Sequence, residues 1–353
     1  MLLLLLTTLE TCMQSPQMPG YSFTGPLPPP TPEENRLAEN LRRHVHVLSV
    51  DIGRRHVGEY PHLVRAAAYL ESTLTDMGYP VTSQRWLVGK KEVRNLEVTL
   101  RGTAHPDDLI LMGAHYDSAR ESPAADDNGS GVAALLELAR SLKGHPAPRT
   151  LRLVFFVNEE PPFFAGPGMG SWQYAQAARA RNDHIRAMIA LDSIGRFCDE
   201  PNSQHYPAPL AKHYPSTGNF IAFVSRSEDV DLVRSSLAAF RNAVPFPSEG
   251  AALPAMFPGV WYSDHWSFWQ FRYPAIFVTD TAFNRYKEYH TPNDTIDHVD
   301  FLRLARVTRG LRAVLLALAA DPDSPADTPH SPAAARPPTP SNTAPNPQTS
   351  PPP

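Results

Sequence analysis

The sequence predicts an α/β fold of three layers, αβα, around a central sheet that is mixed but mostly parallel. Three observations carry this. Short apolar runs alternate with helical patterns along the chain, as in a parallel sheet covered by helices on both faces. The runs are nearly continuous rather than alternating, as strands buried on both faces must be. Polar residues gather just past the ends of several runs, at the edge where open α/β sheets collect ligands.

The elements follow in order. Residues 1–30 are read as a disordered segment: Met1–Leu6 is apolar, Cys12 follows, and a Pro-rich spacer runs from Gln14 to Pro30. This resembles the end of a lipoprotein signal without its basic start. On that reading Cys12 carries a lipid and the protein is extracytoplasmic. Glu10 and Thr11 fit such a signal poorly, and a plain N-terminus of a cytoplasmic protein is the alternative. Thr31 then caps a helix over Pro32–Val50, with Glu33 and Glu34 in its first turn. A second helix, Pro61–Met77, stops at Gly78, and Arg85–Val88 with Val93–Leu100 alternates as a hairpin. Leu109–Ala114, Leu151–Val157, Met188–Leu191, Phe220–Val224 and Ala275–Val278 are the buried strands. Gly129–Leu142, Met169–Arg181, Val230–Asn242 and Phe301–Ala320 are the accompanying helices. Residues 196–219 and 243–260 carry many Pro, Gly, Ser and His and read as long loops lining the site. From Asp321 to Pro353 the chain is Pro-, Ala-, Ser- and Thr-rich without periodicity, so a disordered tail is expected. One domain, residues 31–320, remains.

Composition excludes some functions. The 353 residues carry a formal net charge of −4 and no concentrated basic face, so a nucleic-acid partner is not expected. The only cysteines, Cys12 and Cys198, make no disulfide framework. No apolar run approaches the length of a transmembrane helix.

The chemistry lies in a set of ligand-type residues. His115 follows the run Leu109–Ala114, with Asp117 two positions on as a partner for its other ring nitrogen. Asp127 sits in Asp126-Asp127-Asn128 just before a helix, where two acids and an amide exceed what one cap needs. Glu159 and Glu160 close the run Leu151–Val157, and Pro161-Pro162 behind them redirects the chain. Asp192 ends Ala187–Leu191, and His290 lies in Tyr289-His290-Thr291-Pro292, with Asp294 nearby to orient a neighbour. Each position alone has a bland reading as a cap or a solvated turn. Together they supply imidazole and carboxylate ligands without thiolate, which suits Zn²⁺, with Co²⁺ or Mn²⁺ as substitutes. The acidic pocket suits an amine and offers no visible partner for a C-terminal carboxylate.

The chain resembles the zinc aminopeptidase family of secreted bacterial leucine-type aminopeptidases, whose superfamily includes glutamate carboxypeptidase-like proteins and glutaminyl cyclases. The resemblance rests on Ala114-His115-Tyr116-Asp117, Ala125–Gly131, Asn158-Glu159-Glu160, Leu191-Asp192, Ser263-Asp264-His265 and Tyr289–Pro292. It implies the phosphorylase/hydrolase-like zinc exopeptidase fold, two Zn²⁺ per chain and a peptide or amino-acid-conjugate substrate. It implies that His115 and Asp192 bind one zinc, Glu160 and His290 the other, that Asp127 bridges them, and that the Asp127–Asn128 bond is cis. Asp117 would orient His115, Glu159 would be the general base and acid, and Tyr289 would donate to the oxyanion. Asp264 and His265 match a motif near the pocket, although helix capping explains Asp264 equally well. Two rivals stay open. A cyclase-like acyltransferase would have Trp where this chain has Tyr289, and a non-catalytic peptide-binding member would have lost ligands that are all present here.

Overall fold

The structure is a computed structural model, which describes residues 17–207 and 210–321. The expectations for Cys12 and for the tail beyond Asp321 lie outside the described residues. Eight strands are described: β1 (Thr82–Val88), β2 (Lys91–Leu100), β3 (His105–His115), β4 (Arg149–Phe156), β5 (His184–Leu191), β6 (Ile221–Arg226), β7 (Ser248–Leu253) and β8 (Ala275–Thr279). They form one sheet in the order β1-β2-β4-β3-β5-β8-β6-β7. Strands β4, β3, β5 and β8 are mutually parallel, so all four end on the same edge. The hairpin β1–β2 joins β4 antiparallel, and β6 joins β8 antiparallel while pairing parallel with β7. The sheet is mixed with a parallel centre, as expected.

Alternation along the central strands feeds two cores. Ile110, Met112 and Ala114 face one, while Leu109 and Leu111 face the other. The first core is closed by α1 (Pro32–His46), α2 (Tyr60–Asp76), α3 (Gly129–Leu142), α5 (Val230–Ala243) and α8 (Phe301–Ala319). The second is closed by α4 (Gly170–Ala180) and α6 (His265–Gln270), and α7 (Ala282–Arg285) follows β8. Burial on both faces explains why the strand sequences lack a polar phase. Helix α1 starts with the expected capping box, in which Thr31 Oγ1 accepts from Glu34 N at 3.1 Å and Glu34 returns the bond. It runs into a π-helical turn, Val47–Ile52, and Gly53 at φ 74° ends it.

Two expectations are corrected. Residues 17–30 are not structureless. Ser248 N donates to Ser22 Oγ at 2.9 Å, Arg241 Nη1 donates to Pro19 O at 2.8 Å, and Met18 and Leu27 pack on the first core. This arm lies against β7 at the sheet's end, where an uncovered edge would expose unpaired backbone. The segment 243–260, read as a loop, contains β7. Its sequence, Ser-Glu-Gly-Ala-Ala-Leu, has too little apolar bulk to register as a strand. Residues 196–219, by contrast, hold no helix or strand among their described residues.

Candidate metal centre

The parallel strands deliver their side chains to one place. His115 ends β3, and its Nε2 lies 3.2 Å from Asp127 Oδ1 and 3.4 Å from Asp192 Oδ2, just past β5. His290 Nε2 lies 3.0 Å from Asp127 Oδ2 and 3.1 Å from Glu160 Oε2. Asp127 therefore turns one oxygen to each histidine. Glu159 Oε2 is 3.9 Å from His115 Nε2, and Glu159 also groups with His115 and Asp192 at ligand-sized spacing, as His115, Asp127 and Glu160 do.

Local structure fixes these positions. Asn158 at φ 62° turns the chain after β4, a conformation asparagine tolerates better than most residues. His290, at φ 60°, holds the same left-handed conformation, which a non-glycine residue keeps only where its surroundings impose it. Asp127 sits at the amino end of α3, beside the cap Asn128, and the Asp127–Asn128 bond is cis. Asn128 Nδ2 donates to Leu191 O at 2.7 Å, tying the start of α3 to the end of β5. Gly131 permits that approach, because a Cβ there would stand 2.2 Å from Asn128 Oδ1 and 2.9 Å from Leu191 O.

Surrounding groups hold the candidate ligands from behind. The Asp117 carboxylate lies 3.6 Å from His115 Nδ1 and accepts the backbone N–H of Glu159 and of Glu160, at 3.1 and 3.2 Å. Asp294 accepts from Asp126 N and Asp127 N, at 3.0 and 3.1 Å. Ser263 Oγ donates to Asp192 Oδ2 at 2.8 Å. Arg55, fully buried, donates to the carbonyls of Tyr116, Pro123 and Ala124 at 2.7–2.8 Å and so braces the loop carrying Asp117 and Asp127. Burial pulls its pKa down to about 10 against the pull of Asp294 and Asp117, which leaves it charged at neutral pH. Arg55 carried no positional signal in the sequence, and Ser263 entered only as the first member of Ser263-Asp264-His265.

The pocket candidates separate. Asp264 makes no capping hydrogen bond, and both its oxygens are buried without a partner. Burial pushes its carboxyl up to about 7, with His115 and Asp192 among the charges that reach it. His265 does not join the site, which corrects that expectation. Its Nε2 is 2.7 Å from Val260 O, its ring stacks on Phe277, and burial pushes its pKa down to about 3. Tyr289 stacks on His290 at 3.9 Å, and burial followed by Asp127 and Glu160 raises its phenol, keeping it a neutral donor.

The donor set fits a metal on two observations. His115 Nδ1 and Nε2, Asp127 Oδ1, Glu160 Oε1 and His290 Nε2 are buried with no hydrogen-bond partner, which is costly unless something else satisfies them. Burial and then Asp127 push Glu160 up to about 7 and Asp192 up to about 6, so the carboxylates crowd one another and call for a shared countercharge.

Known proteins agree with this architecture. The sequence profile of peptidase family M28 matches residues 95–315. The uncharacterized protein YfbL of Escherichia coli K12 is 37% identical over 295 residues, spanning 81% of this chain and 90% of that one. Aminopeptidase YwaD of Bacillus subtilis is 37% identical over 239 residues, 66% of this chain and 44% of that one. Among solved structures, BSAP, a zinc aminopeptidase from Bacillus subtilis, superposes with a TM-score of 0.65 at 16% identity, over 81% of this chain and 96% of that one. At that identity the likeness speaks to the fold. Among the described residues no helix is long and apolar enough to cross a membrane.

Proposed function

The chain belongs to peptidase family M28, and from that premise we propose that it is a dinuclear zinc aminopeptidase. The observation that carries the proposal is Asp127, whose two oxygens face two different histidines, each with its own further carboxylate. His115 and Asp192 would hold one zinc, Glu160 and His290 the other, and Asp127 both. The zinc-dependent character of a structural relative and the aminopeptidase name of a sequence relative support the choice of metal and reaction. Zinc supplies Lewis acidity, which acidifies water and polarises a carbonyl.

The protein's own groups do the rest. Glu159, buried beside His115 and raised by that burial, takes a proton from the attacking water and returns it to the departing amine. Asp117 aligns both glutamates through their backbone N–H groups and faces the far side of His115. Tyr289, neutral and close to the carboxylates, donates to the oxygen on which negative charge develops. The carboxylates bind a free α-amine, so cleavage starts at the N-terminus of a peptide or amino-acid conjugate.

A panel of aminoacyl-p-nitroanilides tests this, each assayed free and N-acetylated, with and without chelator. Turnover of the free forms alone, abolished by chelator and restored by zinc, is expected. Equal turnover of acetylated substrates would point to an endopeptidase, and cyclisation of a glutaminyl substrate in place of hydrolysis would point to an acyltransferase.

A further inference from the structure

A recess of about 400 Å³ adjoins the metal centre and has no part in the chemistry above. Asp117 and Glu160 line it from the site, Phe163 from the elbow behind Glu160, and Arg54, His56 and Arg120 from two other loops together with the acids Glu59 and Glu121. Its volume suits a small group rather than an extended chain. Building on the aminopeptidase reading, we propose that this recess binds the carboxylate of a short peptide substrate through the guanidinium groups of Arg54 and Arg120. The sequence offered no visible partner for such a carboxylate, because these arginines meet only in the fold.

Both guanidinium groups are only loosely paired, and Arg54 is 48% and Arg120 86% exposed. Among the described residues neither makes a side-chain hydrogen bond. Their nearest acids stand off at 3.5 Å for Arg54 to Glu121, 3.8 Å for Arg54 to Glu59 and 3.9 Å for Arg120 to Glu121. Glu59 and Glu121 are themselves 43% and 60% exposed, so these loose pairs contribute little. A carboxylate entering the recess gains two-pronged, charge-assisted hydrogen bonds that the standing contacts lack.

The backbone that carries Arg54 is held firmly. Arg54 precedes Arg55, whose buried guanidinium is locked on three carbonyls. Arg54 O accepts from the His62 ring at 3.0 Å. The His56 ring accepts from Gly58 N at 3.0 Å, fixing the turn that follows Arg54. A recess built this way beside Glu160 receives the substrate just beyond the cleaved bond. The carboxylate comes either from the C-terminus of a dipeptide or from an acidic side chain at its second residue.

Two substrate pairs separate these sources: Leu-Gly against Leu-Gly-amide, and Leu-Asp-amide against Leu-Asn-amide. In the zinc-loaded enzyme, kcat/KM should favour the carboxylate-bearing member of at least one pair by about tenfold. The preferred pair identifies the source. In the Arg54→Gln/Arg120→Gln enzyme the ratio should fall to within about twofold, and lysine at both positions should restore part of it. Each ratio carries its own reference, since misfolding lowers both members together. The same ratios should appear in dissociation constants measured by calorimetry on Glu159→Gln protein, which turns substrate over too slowly to interfere. Ratios near one in both pairs, or a preference that survives the double substitution, would overturn the subsite and leave the aminopeptidase reading standing. No hydrolysis of any of the four substrates would overturn that reading and the subsite with it.

Discussion

Glu159 and Glu160 are neighbours in sequence and face different partners. Glu160 lies 3.1 Å from His290, and Glu159 lies 3.9 Å from His115. Their division of labour yields the first expectation. Glu159→Gln keeps the shape and removes the proposed base, so kcat should fall by about 10²–10⁴ with metal content retained. Glu160→Gln should instead lose metal, with partial recovery in excess zinc. Metal analysis and kinetics on the two variants check this, and loss of zinc from Glu159→Gln alone would reverse the roles. At this scale the candidate ligands His115, Glu160 and Asp192 stood out because each lies just past an apolar run, while Asp127 and His290 stood out only through their immediate neighbours. His265 misled because its neighbours resemble a site motif while its ring is buried against Phe277. Arg55 was invisible because what it binds are carbonyls, which every residue has.

Elements were legible wherever apolar periodicity was strong. Strands β3, β4, β5 and β8 and helices α3, α5 and α8 appear within a few residues of expectation, and β7 was hidden by its small side chains. Helix α3 shows how an element positions the site. Gly131→Ala should force α3 away from β5, because the new Cβ would meet Leu191 O at 2.9 Å. Destabilisation of about 1–3 kcal/mol is expected, together with weaker metal binding, read by denaturant unfolding and zinc titration. The outer end of α3 gives a pH test. Glu137 is pushed up by burial, yet hydrogen bonds from His44, Asn40 and Arg140 outweigh that and bring it down to about 2. A depressed carboxylate stabilises the fold above its unfolded pKa and loses that contribution as pH falls through the folded value. After discounting for solvent screening, Glu137→Gln should cost roughly 1–2 kcal/mol at pH 7. Unfolding curves from pH 7 to pH 2 should show the difference shrinking below about pH 4.5. A difference constant with pH would assign the effect to packing.

For the whole molecule, the class was legible from the rhythm of the chain, whereas the N-terminal arm was not. Pro-rich, low-periodicity sequence gave no sign that residues 17–30 pack on β7 and α5 through Met18, Pro19 and Ser22. A chain beginning at Thr31 should therefore melt several degrees below one beginning at Gln17, with the candidate metal ligands intact in both. Equal melting temperatures would mean the arm contributes nothing. The central claim concerns the pair of metal positions that share Asp127, and the most direct measurement is the zinc content of the fully active enzyme. Chelator-stripped protein titrated with zinc should reach full aminopeptidase activity at two ions per chain, and Asp127→Asn should lower occupancy of both positions together. Full activity at one ion per chain, or activity that survives complete removal of metal, would contradict the account.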